Sequence, residues 1–181
     1  MKKFISITAL LLVLICFIGC SEKKEKSPLD TSDMKNPFTF SDFAIDLPEG
    51  FYVDDAAESG DIPSAYAPDY PKHRDNYTFT ELKTKTDPNA YTQAELDSIY
   101  SEALDNYSGL RSYDQTECCG FKALKIHYTA TAPADDGSEI TVEQHQFFVF
   151  TDDNAYIVTF STDNKDYLDA YEASLDTILV Q

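Results

Sequence analysis

His127 and His145 lie in two stretches of alternating apolar and polar residues, 121–131 and 139–150. A loop containing Pro133 and Asp136-Gly137 separates them. Period-two alternation predicts strands, and a polar Gly-containing loop joins such strands as a hairpin. If the loop pairs Ala134 with Ser138, His127 faces His145 and Thr129 faces Glu143, on the side opposite Leu124, Ile126 and Tyr128. Two imidazoles and a carboxylate are a donor set for a transition metal. A slip of one residue dissolves that set, because it sends every side chain to the other face. His127, Glu143 and His145 are therefore candidate ligands only. A polar sheet face with two ordinary histidines reads the same way, and neither a metal site nor a cofactor is assigned.

Cys118-Cys119 is the second chemical feature. Adjacent Cα atoms lie about 3.8 Å apart, whereas ordinary disulfides span about 4.4 Å or more. A bond between these neighbours would be strained and easily reduced, which makes a redox-sensitive pair one reading. The other is a tight turn beside Gly120 that holds two small residues. Asp54-Asp55, Asp135-Asp136 and Asp152-Asp153 are carboxylate pairs in predicted turns. They lack the ligand spacing of a calcium loop and are explained by turn formation. No nucleophile elbow, His-Glu-x-x-His, Cys-x-x-Cys or phosphate-binding glycine loop occurs, so no catalytic residue is assigned. Residues 54–76 read as one long loop, and long loops are often functional. Tyr66, Tyr70 and His73 on that loop, with Pro63, Pro68 and Pro71, make it a candidate partner-contact surface.

The elements that must position these residues follow from periodicity. Short extended runs are expected at 38–40, 43–47 and 51–53, with a longer strand at 77–85. Thr92-Gln93-Ala94-Glu95 is a capping box. It opens a helix whose stripe is Leu96, Ile99, Tyr100, Ala103, Leu104 and Tyr107, with Gly109 as its stop. Strands follow at 113–117, 121–131, 139–150 and 155–162. Asp163 is placed to cap a last helix with the stripe Tyr167, Leu168, Tyr171, Leu175 and Ile178. Consecutive strands joined by short polar turns pair antiparallel. The expected class is α+β: an antiparallel β-sheet covered by two main amphipathic helices. The order resembles the PsbP-like fold, which photosystem II extrinsic proteins share with small envelope lipoproteins of the DcrB kind. The segments that carry the resemblance are Phe43-Ala44-Ile45-Asp46-Leu47-Pro48-Glu49-Gly50-Phe51, Gly120-Phe121-Lys122-Ala123 and Ala155-Tyr156-Ile157-Val158-Thr159-Phe160. It implies a binding or assembly module and brings no motif of functional residues.

The first residues give an address. Lys2 and Lys3 precede an almost unbroken apolar run over residues 4–17, which is the layout of a signal peptide. The run is shorter than the roughly 20 residues of a spanning helix. Phe17-Ile18-Gly19-Cys20 resembles the lipobox of bacterial lipoproteins. That resemblance implies removal of residues 1–19 and acylation of Cys20, by palmitate among other chains. Residues 20–36 then form a lipidated cysteine and a flexible tether, and 37–181 a single domain.

Composition narrows the function. The chain has 181 residues, 14 basic and 32 acidic, for a net charge of −18. Such a balance excludes a nucleic-acid binder, which needs a basic footprint. At 43% hydrophobic residues the chain can build a core. Residues 21–36 are electrically neutral, so the acidity belongs to the domain. An acidic body on a neutral tether is expected to stand off an anionic membrane by about a Debye length. The expectation is a module held by a lipid anchor on the extracytoplasmic face of a bacterial cell membrane. It would bind an envelope protein or a small ligand without catalysis. An envelope enzyme, hydrolase or thiol-redox, is the alternative.

Overall fold

The computed structural model describes residues 28–54, 62–84, 91–134 and 137–181. In chain order these form β1 (Pro37–Phe40), β2 (Phe43–Asp46), β3 (Tyr52–Asp54), β4 (Ser64–Tyr66), β5 (Asn76–Lys83), α1 (Gln93–Ala103), β6 (Tyr107–Cys118), β7 (Phe121–Pro133), β8 (Glu139–Phe150), β9 (Asn154–Thr162), a 3-10 turn (Lys165–Tyr167), α2 (Leu168–Leu175) and β10 (Leu179–Val180). Every pairing is antiparallel. The larger sheet has the order β3-β4-β5-β9-β8-β7-β6, and the smaller one β1-β2-β10.

Period-two alternation sends the long strands' side chains to two faces. On one face Leu124, Ile126, Tyr128, Phe148 and Ile157 meet Leu96 and Tyr100 of α1 and the Leu104 that follows it. On the other, Tyr77, Phe79, Phe147, Val149, Tyr156, Val158 and Phe160 meet the small sheet and α2. This second core is largely aromatic. Phe38 stacks on Phe79 at 4.0 Å, Phe43 on Tyr156 at 5.7 Å, and Tyr171 of α2 on Phe160 at 5.1 Å. Strand β10 closes the small sheet by placing Leu179 beside Ala44, and the Asp46 amide donates to Thr177 Oγ1 at 2.8 Å.

The expectation of a sheet covered by two main helices is overturned: the described residues are mostly β, in two antiparallel sheets with two short helices. Length gives the reason. An eight-residue helix is about 12 Å long, while seven strands at about 4.8 Å spacing span nearly 30 Å. Helix α2 covers part of one face, and the small sheet supplies cover beside it. The 54–76 segment is also corrected. It is not one loop, because β3 ends and β4 lies within it, and β4 pairs with both β3 and β5.

Helix α1 starts as its sequence dictates. The Glu95 amide donates to Thr92 Oγ1 at 3.3 Å, and the Thr92 amide donates back to Glu95 Oε2 at 2.8 Å. It ends at Ala103 with Leu104 as cap rather than at Gly109. Gly109 has φ +116° and sits inside β6, where the register with β7 shifts. Asp97 of α1 accepts from the Leu110 amide at 3.1 Å and from the Tyr107 hydroxyl there, tying the helix to the bulged strand. Strand β6 therefore starts earlier than alternation suggested. The last helix is shorter than expected. Asn164, not Asp163, caps the 3-10 turn by accepting from the Asp166 amide at 3.1 Å.

Phe43→Ala should cost about 3–5 kcal/mol, because it empties a 1% exposed site between the two sheets. Ile99→Ala should change stability by less than about 0.5 kcal/mol despite its place in the apolar stripe, since Ile99 is 39% exposed. Chemical denaturation of the two variants checks both values.

Candidate functional site

The β7–β8 hairpin sets the geometry of the histidine cluster. Ala134 N donates to Ser138 O at 2.8 Å and Gly137 N to Ala134 O at 3.1 Å, which closes the loop. In the resulting register His127 lies opposite His145 and Thr129 opposite Glu143. The imidazoles stack with centroids 4.2 Å apart and planes 12° apart. Glu143 Oε2 sits 3.6 Å from His127 Nε2 and 3.7 Å from His145 Nε2. Lys165 Nζ, from the 3-10 turn, lies 3.8 Å from the other carboxylate oxygen. Tyr171 of α2 backs the His145 ring at 5.6 Å. Thr129 is buried beside the cluster and accepts from Arg111 Nη2 at 3.2 Å. Nearby, Lys125 pairs with Glu172 of α2 at 2.6 Å.

Both histidine Nε2 atoms are buried and make no hydrogen bond to the described residues. Burial is the main force holding both rings neutral. It lowers His127, with Glu143 opposing and Arg111 and Lys165 adding to the effect. It pushes His145 down to about 4, reinforced by His127 and opposed by Glu143 and Glu172. The cluster thus offers two neutral imidazole nitrogens and a carboxylate oxygen at neutral pH. This is chemistry for holding a cation.

The 54–76 segment distributes its residues differently from the sequence expectation. Tyr66 and Tyr70 come together, with ring centroids 4.4 Å apart, and Tyr52 joins them at 5.8 Å from Tyr66. Tyr52, at 49% exposed, is the most open large hydrophobic residue among the described residues, and sequence reasoning left it out. Its place inside the extended run expected at 51–53 was the available signal. His73 instead binds Asp163 beyond β9, with Nδ1 3.2 Å from Oδ1. The Arg74 amide donates to the same oxygen at 3.2 Å. Asp75 was also missed. It is fully buried, accepts from the Thr162 hydroxyl, and its Oδ2 has no partner among the described residues. Burial raises its pKa despite that hydrogen bond.

Cys118 pairs with Phe121 across a two-residue turn in which Cys119 and Gly120 have φ +54° and +81°. Two positive φ values mark a type I′ hairpin turn, which explains the glycine. The two thiols are free, with Sγ atoms 3.8 Å apart, and Cys119 Sγ lies 3.0 Å from the Ile178 carbonyl oxygen. Burial, with Cys119 beside it, pushes the Cys118 thiol up to about 12. Such a thiol is a poor nucleophile at neutral pH. Asp152 and Asp153 occupy the β8–β9 turn closed by Thr151 N donating to Asn154 O at 2.8 Å. The signal-like segment, Cys20, Asp55, Asp135 and Asp136 lie outside the described residues. No helix among the described residues is long and apolar enough to cross a membrane.

No protein-family model matches the chain, and no curated protein sequence matches it. Solved structures do. Cyanobacterial PsbP (CyanoP) from Synechocystis aligns with a TM-score of 0.54 at 10% identity, over 80% of this chain and 91% of that one. A structure from Bacteroides thetaiotaomicron gives 0.46 at 13% identity, over 77% of this chain and 45% of its own. LpqN of Mycobacterium tuberculosis, described as involved in cell envelope biogenesis, gives 0.47 at 10% identity, over 77% of this chain and 83% of that one. Of these three, the Synechocystis protein exceeds 0.5, and at that identity the likeness concerns shape: the fold is PsbP-like.

Two outcomes test the electrostatics. In metal-free protein, the His145 imidazole should titrate near 4 and His127 below 6.5, read by NMR. Between the folded and unfolded pKa values the unfolded chain binds more protons, so these histidines withdraw stability as pH falls from 6.5 toward 4. Alkylation of Cys118 at pH 8, followed by mass spectrometry, should be far slower than that of an unperturbed cysteine.

Proposed function

We propose that this chain is a lipid-anchored, non-catalytic binding module of a bacterial cell envelope. The observation that carries the reading is the leader: Lys2-Lys3, the apolar residues 4–17, then Phe17-Ile18-Gly19-Cys20 and a charge-neutral tether. Acylation of Cys20 would fix the chain to the membrane through more than one fatty chain, which a single chain does only marginally. The PsbP-like fold supports a body made for binding or assembly.

The surface offered to a partner is the tyrosine group Tyr52, Tyr66 and Tyr70 at the β3 edge of the large sheet. Tyrosines bury large area at small cost in rotamer freedom, and their hydroxyls supply hydrogen bonds. The excess of acidic residues disfavours acidic partners and the lipid surface itself. The occupant is then an envelope protein or small ligand that is neutral or basic where it meets this face.

Expression of the full chain in a bacterium fed a clickable palmitate analogue tests the anchor. The wild type should take up label and sediment with membranes, and Cys20→Ala should lose both. A wild-type chain that stays unlabelled and in the soluble fraction would sink the reading.

A further inference from the structure

We infer that His127, Glu143 and His145 form a binding site for one divalent transition-metal ion of the zinc type. Their donor atoms all lie within 4.8 Å of one another. In a tetrahedral site with bonds of about 2.0–2.1 Å, neighbouring donors stand about 3.4 Å apart. The two imidazole–carboxylate separations, 3.6 and 3.7 Å, are already within a few tenths of that. They are too long for good hydrogen bonds.

The unpartnered nitrogens are the second observation. His127 Nε2 and His145 Nε2 are both buried with no hydrogen bond to the described residues. Leaving such atoms unsatisfied costs free energy, and native structures avoid it. One cation between the rings and Glu143 satisfies both nitrogens and the carboxylate at once. The donor chemistry selects the metal: imidazole suits zinc, copper and nickel, whereas magnesium and calcium take oxygen ligands.

The rings must fan out from their 12° stack to aim both lone pairs at one ion. His145 is backed by Tyr171, so the more exposed His127 makes that adjustment. Lys165 contacts the far oxygen of Glu143 and is 80% exposed, free to swing aside. Three protein donors leave a fourth position for water or for a group from a partner. This site goes beyond the proposed anchor and surface and requires neither.

The test is calorimetric titration of the purified full chain, in detergent and freed of metal by chelation, with zinc chloride. One saturable equivalent should bind, and the melting temperature should rise with zinc but not with calcium or magnesium. His127→Ala should weaken zinc at least tenfold. Glu143→Gln, which preserves shape, should do the same and carries the test if His127→Ala melts early in circular dichroism. Replacing Cys118 and Cys119 with serine should leave the binding intact. The inference is overturned if the folded wild type gives no saturable heat. It is equally overturned if zinc binds folded Glu143→Gln unchanged, or if binding is lost with the cysteines. The palmitate experiment is indifferent to all of these outcomes, so failure of the metal site and failure of the anchor are distinguishable.

Discussion

The pairing of β7 with β8 is the constraint on which the rest of the structure depends. It runs without a break from Lys122 opposite Phe150 to Pro133 opposite Glu139. Parity along those strands decides which residues join which core. Leu124, Ile126, Tyr128 and Phe148 go to α1, while Ala123, Phe147 and Val149 go to the small sheet and α2. The same parity puts His127, His145 and Glu143 on the α2 face. A slip of one residue would exchange both sets at once. Apolar burial on both faces thus enforces the register that brings the polar cluster together.

That arrangement places a polar cluster at the margin of an aromatic core. Phe160, Tyr77 and Tyr171 form a packed aromatic group, and His145 touches its Tyr171 member. Close packing on this side limits water and holds the imidazoles neutral. Lys165 and Arg111 add positive charge near the rings, against Glu143. The opposite face solves its polar burial differently. There the Tyr100 hydroxyl donates to Gln146 Oε1, and Gln146 Nε2 donates to Thr159 Oγ1 at 3.2 Å. One face links Tyr100, Gln146 and Thr159 by hydrogen bonds, and the other holds two imidazole nitrogens with no hydrogen bond to the described residues.

Much of the fold was legible where the signal is local. The Thr92–Glu95 capping box, the strand at 139–150 and the Ala134–Ser138 closure each rest on a few neighbouring residues, and each appears as expected. Errors arose where the decisive contact is distant. Gly109 reads as a helix stop until β6 is seen to bulge around it and bond Asp97. Residues 54–76 read as one loop because β4 is three residues long, too short for periodicity to register. Of the candidate contact residues, Tyr66 and Tyr70 meet and His73 goes to Asp163, a choice that no spacing in the sequence encodes.

By itself the sequence determined the long strands β7, β8 and β9, the first turn of α1 and the acidity of the chain. These follow from alternation, capping chemistry and composition, all of which act over a few residues. Tertiary structure alone decided the cover of the large sheet. The short β2 becomes the middle strand of a sheet only when β1 and β10 reach it, the latter from the far end of the chain. It also decided that Asp75 is buried and that two imidazole nitrogens converge on one carboxylate oxygen. Such facts depend on which faces meet in space, and apolar burial summed over the whole chain settles that.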